Sequence, residues 1–318
     1  PRPAPEERRR RGGEPLSARR RRGRGPRGRG RAALLWLGPS LALIAAIVVY
    51  PAIALVRASM SRYSVTGLYQ GSVGTANYAR LFEQAALPTV VANTVVWVVV
   101  IVAVTVAVSL ALAQLLNEDF PGRRLVRWAL IVPWAASLIM TSKLFVWIYD
   151  YYFGILNHVL LSLRLLSAPV DWLGNDSTVM GAMIAVGVFV SLPFTTYVIL
   201  AGLAAIPGEV YEAARVDGAS AWRAYWSVTV PLLRPALLVA VVLNVIYVFN
   251  SFPIVWTLND RNPGFAHDTM ITYMYKIAFR SSLRDVGLAA AVGVVNVVVI
   301  LLAVLLYLRT VSWREAEA

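Results

Sequence analysis

An all-α membrane protein with six transmembrane helices is the fold class the sequence predicts, and three observations carry it. Of 318 residues, 58% are hydrophobic and only 15% charged, where a soluble domain carries about a quarter charged residues. Apolar runs of about 20 residues, the length at which a helix crosses a bilayer, occur at roughly 33–56, 88–116, 128–149, 178–205, 235–257 and 285–308. Lys143 is the only charge in their interiors; Asp285 stands at the first position of the last one.

Before the first span lies a different kind of chain. Most of the net charge of +13 resides there, because 13 of the 30 basic residues precede Ala32 against three acidic ones. Arginine, glycine and proline dominate residues 1–31, with runs at Arg8–Arg11 and Arg19–Arg22. Such a segment buries too little apolar surface to offset its conformational entropy, so a disordered cytoplasmic tail lying on anionic lipid is expected. RNA binding by the Arg-Gly run from Gly23 to Arg31 is the lesser reading, and no nucleic-acid partner is expected. The apolar stretch from Ala32 to Val56 is longer than the roughly 7–15 residues of a signal-peptide core. Span one therefore reads as a retained anchor.

Spans two to six are joined by loops whose lysines and arginines set the orientation. The two alternating sets of loops hold 8 basic residues each, counting the C-terminal tail but not residues 1–31. The basic tail breaks the tie and puts both termini on the cytoplasmic side of a bacterial inner membrane. Pro51, Pro133, Pro193 and Pro253 lie in or near spans. They fit either a moving pathway or simple helix bends. Lys143, about six residues or roughly 9 Å from the outer end of span three, reads as a snorkelling side chain. The competing reading has it face the pathway and meet an anionic substrate.

Chemistry on the chain itself is not expected. There is no cysteine, and histidine occurs only at His158 and His267, too few for a three-histidine metal site. GxxxxGK[ST], HExxH and GxSxG are all absent from the sequence, which leaves no phosphate loop, zinc-protease helix or nucleophile elbow. Carboxylates fall mainly in loops and at the C-terminus (Glu315, Glu317), and none lies in the interior of a span, Asp285 standing only at the start of the last. An ion-coupled secondary transporter, which needs ionisable groups at membrane depth, is disfavoured on that ground.

The loop between spans four and five, residues 206–234, is the most informative. Pro207-Gly208 opens a helix-forming run from Glu209 to Asp217. Its early acidic residues and later Arg215 suit the helix dipole, and Gly218 permits a sharp stop. A second amphipathic stretch with Trp222, Tyr225 and Trp226 leads to Pro231, as a helix pair lying at the headgroup layer would.

Glu212-Ala213-Ala214, three residues, Gly218, nine residues and Val228-Thr229-Val230-Pro231 resemble the EAA signature of permeases in binding-protein-dependent ABC importers. Val228 and Val230 replace the usual Ile and Leu. The resemblance spans residues 32–318. It includes Asn77-Tyr78, Asn93-Thr94, Gly154-Ile155-Leu156-Asn157, Pro193-Phe194 and Gly287-Leu288-Ala289-Ala290. The region from Thr257 through Asn262-Pro263-Gly264 to Thr269 is similar to the family's Thr-x-Gly-Gly-Pro segment without its paired glycines. The set looks more like the MalF/UgpA-like half of a permease pair than its MalG-like partner.

What the resemblance implies is a MalF-like type I importer permease rather than an enzyme. A second permease, two identical ATPase subunits holding ATP and Mg²⁺, and an extracytoplasmic binding (lipo)protein would complete the importer. The 206–234 loop would dock as a coupling helix in the ATPase. Glu212 would meet a basic residue there, Ala213 and Ala214 would keep the face small, Asp217 would cap or pair locally, and Gly218 and Pro231 would shape the turns. For substrate, Ser191 and Phe194 match positions lining the sugar site of maltose-type permeases. Asn244, Tyr247, Asn250 and Ser251 surround a segment similar to the family's Phe-Asn-Asn-Phe. On a continuous helix Asn244, Tyr247 and Ser251 share one face. Reading sugar hydroxyls and making helix–helix hydrogen bonds are both open to these side chains. A mono-, di- or oligosaccharide of maltose or trehalose type is the implied cargo, with glycerol 3-phosphate or a glycerophosphodiester as the alternative.

Overall fold

A computed structural model describes residues 36–260, 262, 264–280 and 284–316, the last with side chains only to residue 309. The tail expected over residues 1–31 lies outside the described residues. Two compact units divide at Ile53 and Ala54. The first contains most of α1 (Trp36–Ser59), whose apolar side chains there are exposed, Ile47 at 64%.

The second unit holds the other elements. A two-stranded antiparallel hairpin, β1 (Ser61–Tyr63) and β2 (Tyr69–Ser72), precedes α2 (Ala76–Phe82). Nothing in the apolar pattern announces this hairpin, because it is too short to show alternation. Then come α3 (Leu87–Asn117), α4 (Arg123–Ala135), α5 (Leu138–Ile148), α6 (Ile155–Ser162) and α7 (Val179–Ala204). The 206–234 loop supplies α8 (Gly208–Val216) and α9 (Ala221–Leu232). After it come α10 (Arg234–Phe249), α11 (Phe252–Leu258), α12 (Met270–Tyr275) and α13 (Val286–Ala316).

Four helices are long and apolar enough to cross a bilayer alone, and six crossings result if each of two bent pairs counts as one. Expected spans one, two, four and six are single helices. The other two are corrected. Span three is α4 and α5, which meet at 104°. Pro133 lacks the N–H that would close the helix onto its preceding turn, and the chain turns extended at Ala136 and Ser137 (ψ 150° and 139°). Span five ends at Phe249 instead of continuing to residue 257. A helix running through Pro253 would drive the proline ring into the carbonyl of Phe249, so α11 starts afresh with Pro253 in its first turn. At its other end α10 joins α9 at a 65° bend.

Two further prolines are accommodated without a break. The turns Ala45–Val49 and Tyr225–Thr229 are wide, i→i+5 turns, and each ends two residues before a proline, Pro51 and Pro231. Widening the turn draws the carbonyl away from the ring, as π-bulges do inside α-helices.

Packing centres on α3 against α7. Trp97, Ile101, Met183 and Val186 are buried with Val248, Ile254 and Leu258. Gly187 makes this approach possible, since a Cβ there would lie 2.4 Å from Ile101 Cδ1. A second cluster joins Leu81, Val90, Phe249, Tyr273, Leu288 and Val292. The third, Ala113, Ile199, Leu203, Leu233 and Ala240, sits toward the 206–234 loop. Trp97 donates its indole N–H to the Val248 carbonyl at 2.9 Å, which pins α3 to the last turn of α10, beside the break.

Candidate functional site

Two places gather the sequence candidates, and they lie at different depths of the second unit. In the 206–234 loop, α8 carries Glu209 in its first turn and Arg215 in its last, complementing the helix dipole. Its inner face is Val210, Tyr211 and Ala214, all half-buried. Glu209, Glu212, Ala213 and Val216 are exposed at i, i+3, i+4 and i+7, which is one helical stripe. Val216 is 87% exposed, an unusual position for a valine with no partner covering it. Glu212 makes no hydrogen bond or ion pair among the described residues.

A Schellman turn ends α8. Gly218 has φ +75°, its N–H reaches the Arg215 carbonyl at 3.0 Å, and Ala219 N–H reaches that of Ala214 at 3.0 Å. Both orphan carbonyls are satisfied only because residue 218 tolerates the left-handed region. Asp217 occupies the C-cap with its backbone; its carboxylate makes no local pair among the described residues. Ser220 then caps α9, its Oγ accepting from Arg223 N–H at 3.3 Å. That cap was not anticipated, although Ser before a helical run is its usual sequence sign. Trp222 stands 73% exposed on α9 and packs edge-on against Trp226. Pro231 sits just before the α9–α10 bend.

The second place is a pocket of about 220 Å³ lined by Trp134, Val190, Ser191, Phe194, Leu243, Asn244 and Tyr247. Four expected residues from two distant stretches meet here: Ser191 and Phe194 from α7, Asn244 and Tyr247 from α10. Asn244 is 2% exposed and donates its amide to Thr195 Oγ1 across the helices at 3.0 Å. The helix–helix bond and the pocket lining are thus both realised in one side chain. Buried Ser191 has no hydrogen-bond partner for its Oγ among the described residues, while Thr195 satisfies its own by donating to the Ser191 carbonyl.

Asn250 and Ser251 do not join the pocket. The expected shared face of Asn244, Tyr247 and Ser251 needs a helix that continues past Phe249, and Pro253 prevents it. Asn250 folds its amide back onto the Ile246 carbonyl at 2.9 Å, and Ser251 is buried at the break (φ −78°, ψ 62°). Sequence reasoning missed Trp134, which follows Pro133 at the end of α4. It also missed a cleft of about 360 Å³ beyond the break, lined by Lys143, Phe252, Trp256, Asp260 and Arg280 among others. Lys143 therefore opens into a cleft.

Several polar residues that carried the family resemblance turn out to be hydrogen-bonding hubs, Asn77, Thr94 and Asn157 buried and Asn93 half-buried. Asn77 donates to the Ser59 and Ser61 carbonyls, each at 2.9 Å. Asn157 donates to the Tyr151 and Val170 carbonyls and accepts from the Trp172 indole. Asn93 donates to the Ala266 and Asp268 carbonyls, and Thr94 Oγ1 accepts from Met270 N–H.

Residues 103–312 match the family described as "Binding-protein-dependent transport system inner membrane component". Among curated relatives, a probable ABC transporter permease protein of Brucella suis is 36% identical over 280 residues, covering 88% of this chain and 96% of that one. A trehalose/maltose transport system permease protein of Thermococcus litoralis is 31% identical, with 88% and 94% covered. A sulfoquinovosyl glycerol transport system permease protein of Agrobacterium fabrum is also 31% identical, with 89% and 91% covered. Among solved structures, a chain of a bacterial ABC transporter that imports the acidic polysaccharide alginate superimposes with a TM-score of 0.77 at 22% identity. That match covers 90% of this chain and 96% of the other, and it establishes a common fold.

Proposed function

The chain belongs to the family of binding-protein-dependent transport system inner membrane components, and on that premise we propose that it forms half the membrane pathway of a bacterial ATP-driven sugar importer. ATP hydrolysis lies on a partner. In this reading a second permease completes the pathway, two ATPase subunits hold ATP and Mg²⁺, and an extracytoplasmic binding protein delivers the cargo. The exposed stripe of α8 docks in the ATPase, with Glu212 offered to a basic group and Ala213 allowing close approach, while Ala214 lies on the inner face and keeps α8 close to its own chain. Closure of the ATPase pair around ATP draws the coupling helices together, and the two permeases rock from inward- to outward-facing.

One observation carries the sugar reading: Ser191, Phe194, Asn244 and Tyr247 converge on a single pocket. Phenol, amide and hydroxyl beside aromatic rings suit a polyol, whose CH faces stack and whose hydroxyls exchange hydrogen bonds. Permeases named for trehalose/maltose and sulfoquinovosyl glycerol among the relatives favour the same class. A mono-, di- or oligosaccharide is the proposed cargo. Glycerol 3-phosphate or a glycerophosphodiester is the second reading, and Lys143 favours it.

ATPase activity of the complete importer in proteoliposomes tests both halves. The wild-type complex and one carrying Glu212→Ala with Gly218→Pro are compared with binding protein and a sugar panel. Stimulation by one sugar that falls at least tenfold in the variant, with assembly intact, is the expected result. Equal stimulation in an assembled variant would sink the coupling role. Failure of any ATPase to associate with the wild-type chain would sink the importer reading.

A further inference from the structure

The cleft beyond the helix breaks and the pocket of Tyr247 are built from the same two broken elements. Trp134 of α4 and Tyr247 of α10 line the pocket. Lys143 of α5 and Phe252 and Trp256 of α11 line the cleft. The breaks at Ala136–Ser137 and Asn250–Ser251 lie between the two. The cleft is at the end of the unit opposite the 206–234 loop, since α10 leads away from that loop toward it.

Its charge is unbalanced. Arg280 lies over the Trp256 ring, 4.6 Å from the centroid, and bonds Asp260 Oδ1 at 3.2 Å. Phe252 stacks on Trp256 at 18° and Tyr275 meets it edge-on at 4.8 Å, so the ring is a fixed platform for the guanidinium. Lys143, contributed by the facing element, makes no ion pair or hydrogen bond among the described residues. Two cations thus face one carboxylate. An unpaired ammonium about 7.5 Å inside the end of a spanning helix is costly unless water or an anion meets it.

We propose that this cleft is an outer binding station for the anionic group of a carbohydrate, a carboxylate, sulfate or phosphate ester held between Lys143 and Arg280. The proposal rests on the sugar-importer reading and deepens it: the cargo is an acidic sugar whose hydroxylated part is read at Tyr247 and whose charge is read here. Lys143 and Arg280 are specificity residues, Trp256 positions Arg280, and Asp260 restrains Arg280 while repelling a second negative group.

The test is a saturation-transfer NMR titration of the complete importer in phosphatidylcholine nanodiscs with glucuronate, glucose 6-sulfate, glucose 6-phosphate and glucose. At least one anionic sugar is expected to bind ten or more times tighter than glucose. Lys143→Gln and Arg280→Gln are each expected to weaken that binding by roughly tenfold, the scale of one charge-assisted hydrogen bond, with glucose binding unchanged. Lys143→Arg should retain it. Lys143 has no hydrogen bond or ion pair to lose among the described residues, so Lys143→Gln reports the charge even if Arg280→Gln disturbs its loop. No preference for any anionic sugar, or a preference that survives in the double variant, overturns the proposal. So does complete displacement of the sugar by phosphatidylglycerol added to the disc, which would make this a lipid-headgroup site. Sugar-stimulated ATPase measured in parallel separates the two levels. Absence of stimulation by any sugar in the panel refutes the importer's sugar class, whereas stimulation by neutral sugars and by none of the anionic ones refutes only the station.

Discussion

Asn244 and Ser191 face the same pocket with opposite obligations. Asn244 is bonded to Thr195 across two helices, whereas Ser191 keeps a buried hydroxyl with no partner among the described residues. Truncation should therefore separate stability from recognition. Asn244→Ala should destabilise the chain by about 0.6–1.7 kcal/mol, the range of interhelical hydrogen bonds in membranes. Ser191→Ala should change stability by less than about 0.5 kcal/mol while lowering the sugar response. Thermal unfolding in detergent and sugar-stimulated ATPase give the two readouts. Equal loss of stability in both variants would refute the distinction. At this scale the candidate residues were legible because they match a family pattern at fixed positions. Asn250 and Ser251 were misplaced because a helical-face argument assumes a continuous helix, and Pro253 withdraws that assumption two residues later.

Elements were legible in proportion to their apolar length. Helices α3, α7 and α13 announce themselves as long uncharged runs, while the breaks that shape both cavities depend on where each proline finds a relieving geometry. Pro193 stays inside α7 and Pro231 follows a wide turn, yet Pro133 and Pro253 end or precede broken helices. A polar brace was illegible for another reason: three of its members follow no helical or strand spacing, and the fourth is 175 residues away. Lys276 pairs with Asp268 at 2.7 Å, with side chains 12% and 1% exposed. Asn259 donates to Asp268 Oδ1, and Asn93 on α3 holds the Asp268 carbonyl. Removing one member of a buried pair strands the other. Asp268→Leu should cost about 3–5 kcal/mol, and Asp268→Leu with Lys276→Met should recover much of it. Thermal inactivation of the solubilised chain checks this; a double variant no better than the single would show that the pair is not the brace.

For the molecule as a whole, orientation is the property most open to direct test. The chain has no cysteine, so single introduced thiols report sidedness without background. With both termini cytoplasmic, Ser177→Cys, in an exposed turn before α7, should react with an impermeant maleimide in whole cells. Ala221→Cys, at the start of α9, should react only after permeabilisation. The reverse labelling pattern would invert the topology and place α8 on the wrong face for an ATPase. The amino-acid sequence by itself determined the solvent, the apolar helices and the family. Each is local: hydropathy accumulates along one helix, and a family resemblance carried by residue spacing survives any packing. Only the tertiary structure decided that Ser191 meets Tyr247, that span five stops at Phe249, and that Lys143 and Arg280 open into one cleft. Those outcomes depend on which carbonyls, rings and charges are brought within a few ångströms across different helices, and periodicity along a single chain carries no record of that.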